Sequence, residues 1–400
     1  MHTRLHGLVI FRGLLRDPVI ERFGAMLQAR SAMSGPEPEL LPFISAAADF
    51  SAALFNSASG ADWTDYLLRA ILQDENLYIR RTAGPGVDPV LTQCLDSELT
   101  FLQTLGETGL DELLQGIEAG SCAFLPRWQC TPADFAARYA ARCGEVAQKG
   151  YGLFAQFHVF TLDDGHLVPV KYPDPQRLSE LPGYEREREK ILLNTRALLE
   201  GLPANNVLLY GDAGTGKSST VKAIANEYAP EGLRLVEIKK NQLYQLPALM
   251  DALSQNPLKF ILFIDDLSFT ANDDNFAALK AILEGSVGGR SQNIAVYATS
   301  NRRHLIKETL SDRAGDDIHE GDTRQELMSL SARFGLTVTF MQPDKDRYEA
   351  ILLELAQQNG IQLPSDQLFL KGEAFALRAG GRSPRVARQF VELCRANIKF

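Results

Sequence analysis

Gly211-Asp212-Ala213-Gly214-Thr215-Gly216-Lys217-Ser218 decides the fold class of this chain. Gly211 and Gly216 stand five apart and are followed by Lys and Ser, the pattern of a phosphate loop. Glycine adopts backbone conformations closed to other residues, so such a loop can turn its N–H groups inward. A row of amides opening onto a helix N-terminus is an anion cradle. In that cradle Lys217 reaches the β- and γ-phosphates, Ser218 ligates Mg²⁺, and Ser219 follows in the first helical turn. The flanks have the required form. Val207-Leu208-Leu209-Tyr210 is an apolar run of strand length, and Val221, Ile224, Ala225 and Tyr228 recur at helical spacing. Strand, glycine loop and helix together lead to an expected nucleotide site.

Working outward, five apolar segments have strand length: Val207–Tyr210, Leu233–Ile238, Phe260–Ile264, Ile294–Ala298 and Leu336–Phe340. Helical stretches separate them, and alternation of this kind implies a parallel α/β sheet. Ligands of such sheets bind at the carboxyl ends of the strands. Phe260–Ile264 runs into Asp265-Asp266, 48 residues after Lys217. An apolar strand tipped by two acids is the Walker B arrangement, with Asp265 for Mg²⁺ and Asp266 to orient or deprotonate the attacking water. Ile294–Ala298 ends in Thr299-Ser300-Asn301, where an amide can sense a γ-phosphate. A plain helix N-cap at Ser300 or Asn301 is the rival reading. Upstream, the Gly183-Tyr184 turn lies 28 residues before Gly211 and is placed to wrap the base.

Phosphate loop, acidic strand tip and Thr-Ser-Asn tip, in this order, resemble the AAA+ ATPases. The resemblance implies an α/β P-loop NTPase core with a parallel five-stranded sheet in the order 5-1-4-3-2. It also implies ATP and Mg²⁺ as cofactors, a small helical C-terminal lid and, here, a mainly α-helical N-terminal domain. Asn301 matches the sensor 1 position. Ser329-Leu330-Ser331-Ala332-Arg333-Phe334-Gly335 resembles the arginine-finger box. Arg333 would then act on a neighbouring subunit's γ-phosphate, which implies a homo-oligomer with ATP at subunit interfaces. Gly381-Arg382-Ser383-Pro384-Arg385 resembles the sensor 2 motif, with Arg385 favoured and Arg382 the alternative. Tyr172-Pro173-Asp174-Pro175, Gly201-Leu202-Pro203-Ala204-Asn205-Asn206-Val207, Asp265-Asp266-Leu267-Ser268-Phe269 and Ala298-Thr299-Ser300-Asn301-Arg302-Arg303-His304-Leu305 are similar to a bacterial AAA+ family catalogued as a domain of unknown function. That likeness implies a bacterial, cytoplasmic ATPase. One departure stands out: the usual Asp-Glu pair is Asp-Asp here, as in initiator-type loaders, which points to slow, switch-like turnover.

The expected division is a mainly helical region over 1–150, a hairpin and linker over 151–203, the α/β core over 204–341 and the lid over 342–400. In the first region Asp17–Leu27, Asp62–Leu72 and a stretch opening at Thr131-Pro132 carry apolar residues at helical spacing, while Ser34–Pro38 and Gly84–Gly86 read as loops. Its role is open between partner recognition and a structural cap. Phe154–Thr161, Asp163-Asp164-Gly165 and Leu167–Val170 read as a β-hairpin. The 400 residues carry a net charge of −9, which disfavours a general nucleic-acid coat. Residues 371–400 nevertheless hold seven Lys or Arg against two Glu, so a nucleic-acid patch stays possible beside a solvated helix face. Five cysteines without CxxC spacing suggest reduced thiols, and no apolar run has membrane length. The resulting expectation is ATP-driven remodelling or loading of an unidentified protein client. The alternatives are a nucleotide-gated scaffold with little turnover and a nucleic-acid-associated loader.

Overall fold

Of the stretch from Phe154 to Val170 that reads as a hairpin, the start is helical (Leu153–Gln156), and the two strands that follow widen the central sheet. In the computed structural model, residues 1–33, 39–82, 86–118, 120–268, 279–280, 282–283, 292–301, 332–396 and 398 are described. The Ser34–Pro38 loop, Gly84-Pro85, Phe269, Arg302–Leu305 and Ser329–Ser331 lie outside them. Strands β1 (Val159–Asp163), β2 (His166–Pro169), β3 (Val207–Gly211), β4 (Leu233–Glu237), β5 (Lys259–Ile264), β6 (Ile294–Ser300) and β7 (Leu336–Phe340) form one sheet. Their order is β2-β1-β4-β5-β6-β3-β7. It has seven strands where five were expected. The two extra strands are the hairpin: β1 pairs antiparallel with β2 and parallel with β4, placing Val159 opposite Leu235. Its turn has positive φ at Asp164 (44°) and Gly165 (79°), the condition for a tight two-residue hairpin. All seven residues of β6 are buried, as a strand covered on both faces requires.

The chain separates into two units, Met1–Gln156 and Phe157–Phe400. The short helix Leu153–Gln156 falls in the first unit and both hairpin strands in the second. The first unit is helical, and its core stacks Phe23 on Trp63 (4.4 Å) and sets Phe50 edge-on to Trp63 and Trp128. Asp17, Asp62, Asp88 and Asp134 cap the helices Pro18–Ala32, Trp63–Gln73, Pro89–Gly106 and Phe135–Gly144 through their carboxylates. The last of these starts at Phe135, not at Thr131. The Thr131 hydroxyl donates to Asp62, and Asp134 supplies the cap.

In the second unit, three C-terminal helices, Lys345–Gln358, Ser365–Arg378 and Pro384–Arg395, share one hydrophobic cluster with the sheet. Tyr348, Ile351, Leu352, Phe390 and Val391 line their side of it. Ser383 caps the last helix, its hydroxyl accepting from the Val386 N–H at 3.2 Å, with Pro384 at the first helical position. Among the described residues, no helix is long and apolar enough to cross a membrane.

Candidate functional site

The stretch from the end of β3 to the helix Lys217–Tyr228 contains three glycines with positive φ, and they serve different ends. Gly211 has φ 133°, and a Cβ there would lie 2.1 Å from the Phe340 carbonyl oxygen. Its first duty is therefore to let β7 approach, since Asp212 N–H donates to that same carbonyl at 2.9 Å. Gly211→Ala should lower folding stability by about 2–4 kcal/mol. A urea midpoint unchanged from wild type would contradict this account. Gly214 (φ 77°) faces the C-terminal helices: a Cβ there would meet Ser383 Oγ at 3.1 Å and Arg385 Cβ at 3.3 Å. The Arg385 N–H donates to the Gly214 carbonyl at 3.1 Å. The third, Gly216, has φ 94° and leads into the helix.

Lys217 is 6% exposed. Its ammonium donates to the carbonyls of Gly211 (2.8 Å) and Asp212 (2.7 Å) and to Asn301 Oδ1 (3.1 Å). Burial lowers its pKa, while the carboxylates of Asp212, Asp265 and Asp266 push it back up. Ser218 Oγ and Thr299 Oγ1 both donate to Asp265 Oδ1, each at 2.6 Å. Thr299 Oγ1 in turn accepts from the Asp266 N–H at 2.9 Å. Asn301 then closes the set: its Nδ2 donates to Asp266 Oδ1 at 2.9 Å while its oxygen takes the lysine. One amide thus spans the cation and the second acid, and the network fixes which end is oxygen.

These groups line a cavity of about 410 Å³. Lys217, Arg188, Arg385 and Arg388 bring four cationic side chains to its wall, against the carboxylates of Asp265 and Asp266. The balance and the loop amides favour a polyanion. The donor set also fits a hard divalent cation. Ser218 and Asp265 offer adjacent oxygens, and Mg²⁺ characteristically takes one or two protein oxygens, with phosphate and water completing its shell. Among the described residues no group of three or more His, Cys, Asp or Glu forms an all-protein metal cage.

The remaining sequence-derived residues fall in different places. Residues 213–219 line the cavity, whereas Gly211 and Asp212 do not; their carbonyls hold the Lys217 ammonium instead. Gly183 and Tyr184 do not line it; Leu181 and Pro182, just before them, do, as does Leu355. Tyr184 is 1% exposed because it has another task. Its ring stacks on Phe340 at 5.3 Å, the Arg347 guanidinium covers it at 4.2 Å, and its hydroxyl donates to the Met341 carbonyl. It ties the end of β7 to the helices Glu185–Leu199 and Lys345–Gln358. Of the two tail arginines, Arg382 is bound in a fork by Glu373 (2.6 Å at the shortest), whereas Arg385 lines the cavity. Arg333 is half-buried just before β7, outside the cavity wall. Gln176, Arg188 and Arg388 were not singled out from the sequence, and Thr299 was read only as part of the polar tip. Arg388 had one legible signal, since it lies three residues after Arg385 on a helix and so shares its face.

The sheet thus carries a phosphate-loop sequence after β3, an acidic tip on β5 and a polar tip on the adjacent β6, all at one cavity. Residues 155–398 match the family described as protein of unknown function DUF815, and the chain belongs to that family. Among solved structures it is similar to Thermotoga maritima RuvB. A structure of that Holliday junction branch migration motor is 17% identical, with a TM-score of 0.36 over 56% of this chain and 67% of that one. A substituted form of the same protein is 18% identical with a TM-score of 0.38, over 56% and 67% of the two chains.

Proposed function

We propose that the chain binds ATP with Mg²⁺ and hydrolyses it slowly, within a homo-oligomer that remodels or loads a macromolecular partner. The observation that carries this reading is the convergence of Lys217, Asn301 and Asp266 at one end of the cavity, beside the Ser218–Asp265 pair. In this reading the loop amides and Lys217 hold the β- and γ-phosphates. Mg²⁺, when bound, neutralises phosphate charge, and Ser218 and Asp265 are the residues that would hold it. Asp266 accepts a proton from the attacking water, and Asn301 keeps that carboxylate in register with Lys217. Arg385 reaches the phosphates from a C-terminal helix, so nucleotide contacts tie those helices to the loop. Such a tie is what a client-moving or client-loading device requires.

Arg333 completes the proposal from a neighbouring subunit. β7 separates it from the loop that Phe340 touches, a span of roughly 16 Å for a strand of this length. Arg333→Ala should cut ATP turnover by about 10³-fold while leaving nucleotide affinity within a few-fold. Mixing it with a Lys217→Ala chain should restore part of the activity by pairing an intact Arg333 with an intact loop. Mixed oligomers no more active than either parent would remove Arg333 from this role.

The scaffold reading has one observation of its own: the Asp266 carboxylate is already engaged by Asn301. Tight ATP binding without turnover, alone and with any captured partner, would favour it. The loader reading loses ground, because Arg382 is paired with Glu373 while Arg385 and Arg388 face the cavity. Three of the seven tail cations are thereby committed elsewhere. Affinity capture with an Asp266→Asn chain in ATP, followed by identification of what stays bound, tests for the client directly.

A further inference from the structure

Arg388 lies on the Pro384–Arg395 helix and lines the cavity one turn beyond Arg385. With the Gln176 amide in the orientation that satisfies both its ends, both terminal nitrogens of Arg388 donate to the Gln176 oxygen at 2.8 Å. The amide nitrogen then donates to Ser219 Oγ at 3.1 Å. Arg388 also donates to the Glu180 carbonyl at 2.9 Å. Every one of these acceptors is neutral. A guanidinium gains about twice as much from a hydrogen bond to an anion, and this one faces a cavity built around an anion cradle. Gln176 is 8% exposed, so its amide is held in place rather than swinging in solvent.

The two arginines stand over different parts of the loop. Arg385 sits against Gly214, in the middle of the cradle. Arg388, through Gln176, stands beside Ser219, at the helical end. In phosphate loops the amides cradle the α- and β-phosphates, and Ser219 bonds Gln176, whereas Lys217 and Ser218 bond Asn301 and Asp265 on the side assigned to the γ-phosphate and Mg²⁺. We propose that Arg388 is a nucleotide-binding residue that grips the phosphate nearest the sugar. Gln176 is the neutral acceptor that holds the guanidinium ready and yields it to phosphate. This inference rests on the nucleotide reading above and adds a residue to it. It also gives the linker a part, since Gln176 and Glu180 precede the Leu181-Pro182 wall and Arg388 is bonded to both.

The test is a double-mutant cycle read by titration of fluorescent ADP and ATP, with thermal unfolding of each variant to confirm folding. Arg388→Ala should weaken ADP and ATP alike by about 10- to 100-fold, because the phosphate nearest the sugar is common to both. Gln176→Glu is isosteric and gives Arg388 a carboxylate, so the folded chain should be as stable as wild type yet bind both nucleotides about 10-fold more weakly. In the Arg388→Ala background, Gln176→Glu should cost little more. Arg388→Lys should recover part of the affinity. Unchanged affinity in Arg388→Ala overturns the inference. So does a Gln176→Glu effect of the same size with and without Arg388, which would be simple charge repulsion. If wild type itself binds neither nucleotide, the nucleotide reading fails. If wild type binds and Arg388→Ala binds equally well, only the role of Arg388 fails.

Discussion

Lys217→Ala should abolish nucleotide binding, with affinity falling by at least about 100-fold, the order expected for losing a charged hydrogen-bond donor at a desolvated site. Lys217 is 6% exposed, and its ammonium is already satisfied by two loop carbonyls and Asn301. Its burial cost shows in a lowered pKa, and the nearby carboxylates offset only part of it. A phosphate placed in the loop adds a further anion and favours the charged form. The sign for pH follows. The protonated lysine is the binding form, so affinity should weaken as pH rises through its depressed pKa, below the point at which a free lysine would titrate. A ligand at 100 times its Kd stabilises the protein by about 2.7 kcal/mol, so the nucleotide-dependent rise in Tm is the readout. That rise should vanish in Lys217→Ala. The substitution also strips a donor from Gly211, Asp212 and Asn301, so the Tm without nucleotide separates a folding loss from a binding loss. A variant that keeps the full nucleotide-dependent shift would move the phosphate site away from this loop.

What the sequence disclosed about the site follows from how locally each part is encoded. Gly211–Ser218 is contiguous, and its strand and helix flanks have their own periodicities, so loop and context were legible together. Asp265 and Asp266 were legible because an all-apolar strand stops abruptly at two acids. Thr299 was in view as part of a polar tip, but nothing local shows that its hydroxyl bonds Asp265 and receives the Asp266 N–H. Gln176 and Arg388 meet across more than 200 residues of chain, and no spacing rule reaches that far. The Gly183-Tyr184 turn misled for a related reason. A buried aromatic and a base-binding aromatic look alike in one sequence, and only Phe340 and Arg347 on either side of Tyr184 show which it is. The hairpin was legible as a hairpin, yet alternation along β1 cannot say that its free edge pairs with β4. Arg385 and Arg382 were separable only once Glu373, nine residues before Arg382, was seen to bind it.

Asp266→Asn should leave ATP binding within a few-fold of wild type and reduce hydrolysis by about 10²- to 10⁴-fold, the range for losing a general base. The backbone explains why the substitution is a clean one. Asp266 sits at φ 51°, in the left-handed region, at the turn leaving β5. Asp and Asn tolerate that region far better than longer side chains do. Asparagine therefore keeps the turn, keeps its N–H on Thr299, and can present its amide oxygen to Asn301 Nδ2. Only the proton-accepting carboxylate is lost. Glu at 266 would extend the carboxylate toward the phosphates but strain the turn and displace the Asn301 contact. Asp265→Asn makes the contrasting case. Asp265 Oδ1 accepts from Ser218 and Thr299 together, so losing its charge should weaken Mg²⁺-dependent binding itself. Single-turnover phosphate release and nucleotide titration on the two variants should thus separate a hydrolysis defect at 266 from a binding defect at 265. Equal turnover in Asp266→Asn and wild type would place the base elsewhere and leave Asp266 as a structural partner of Asn301.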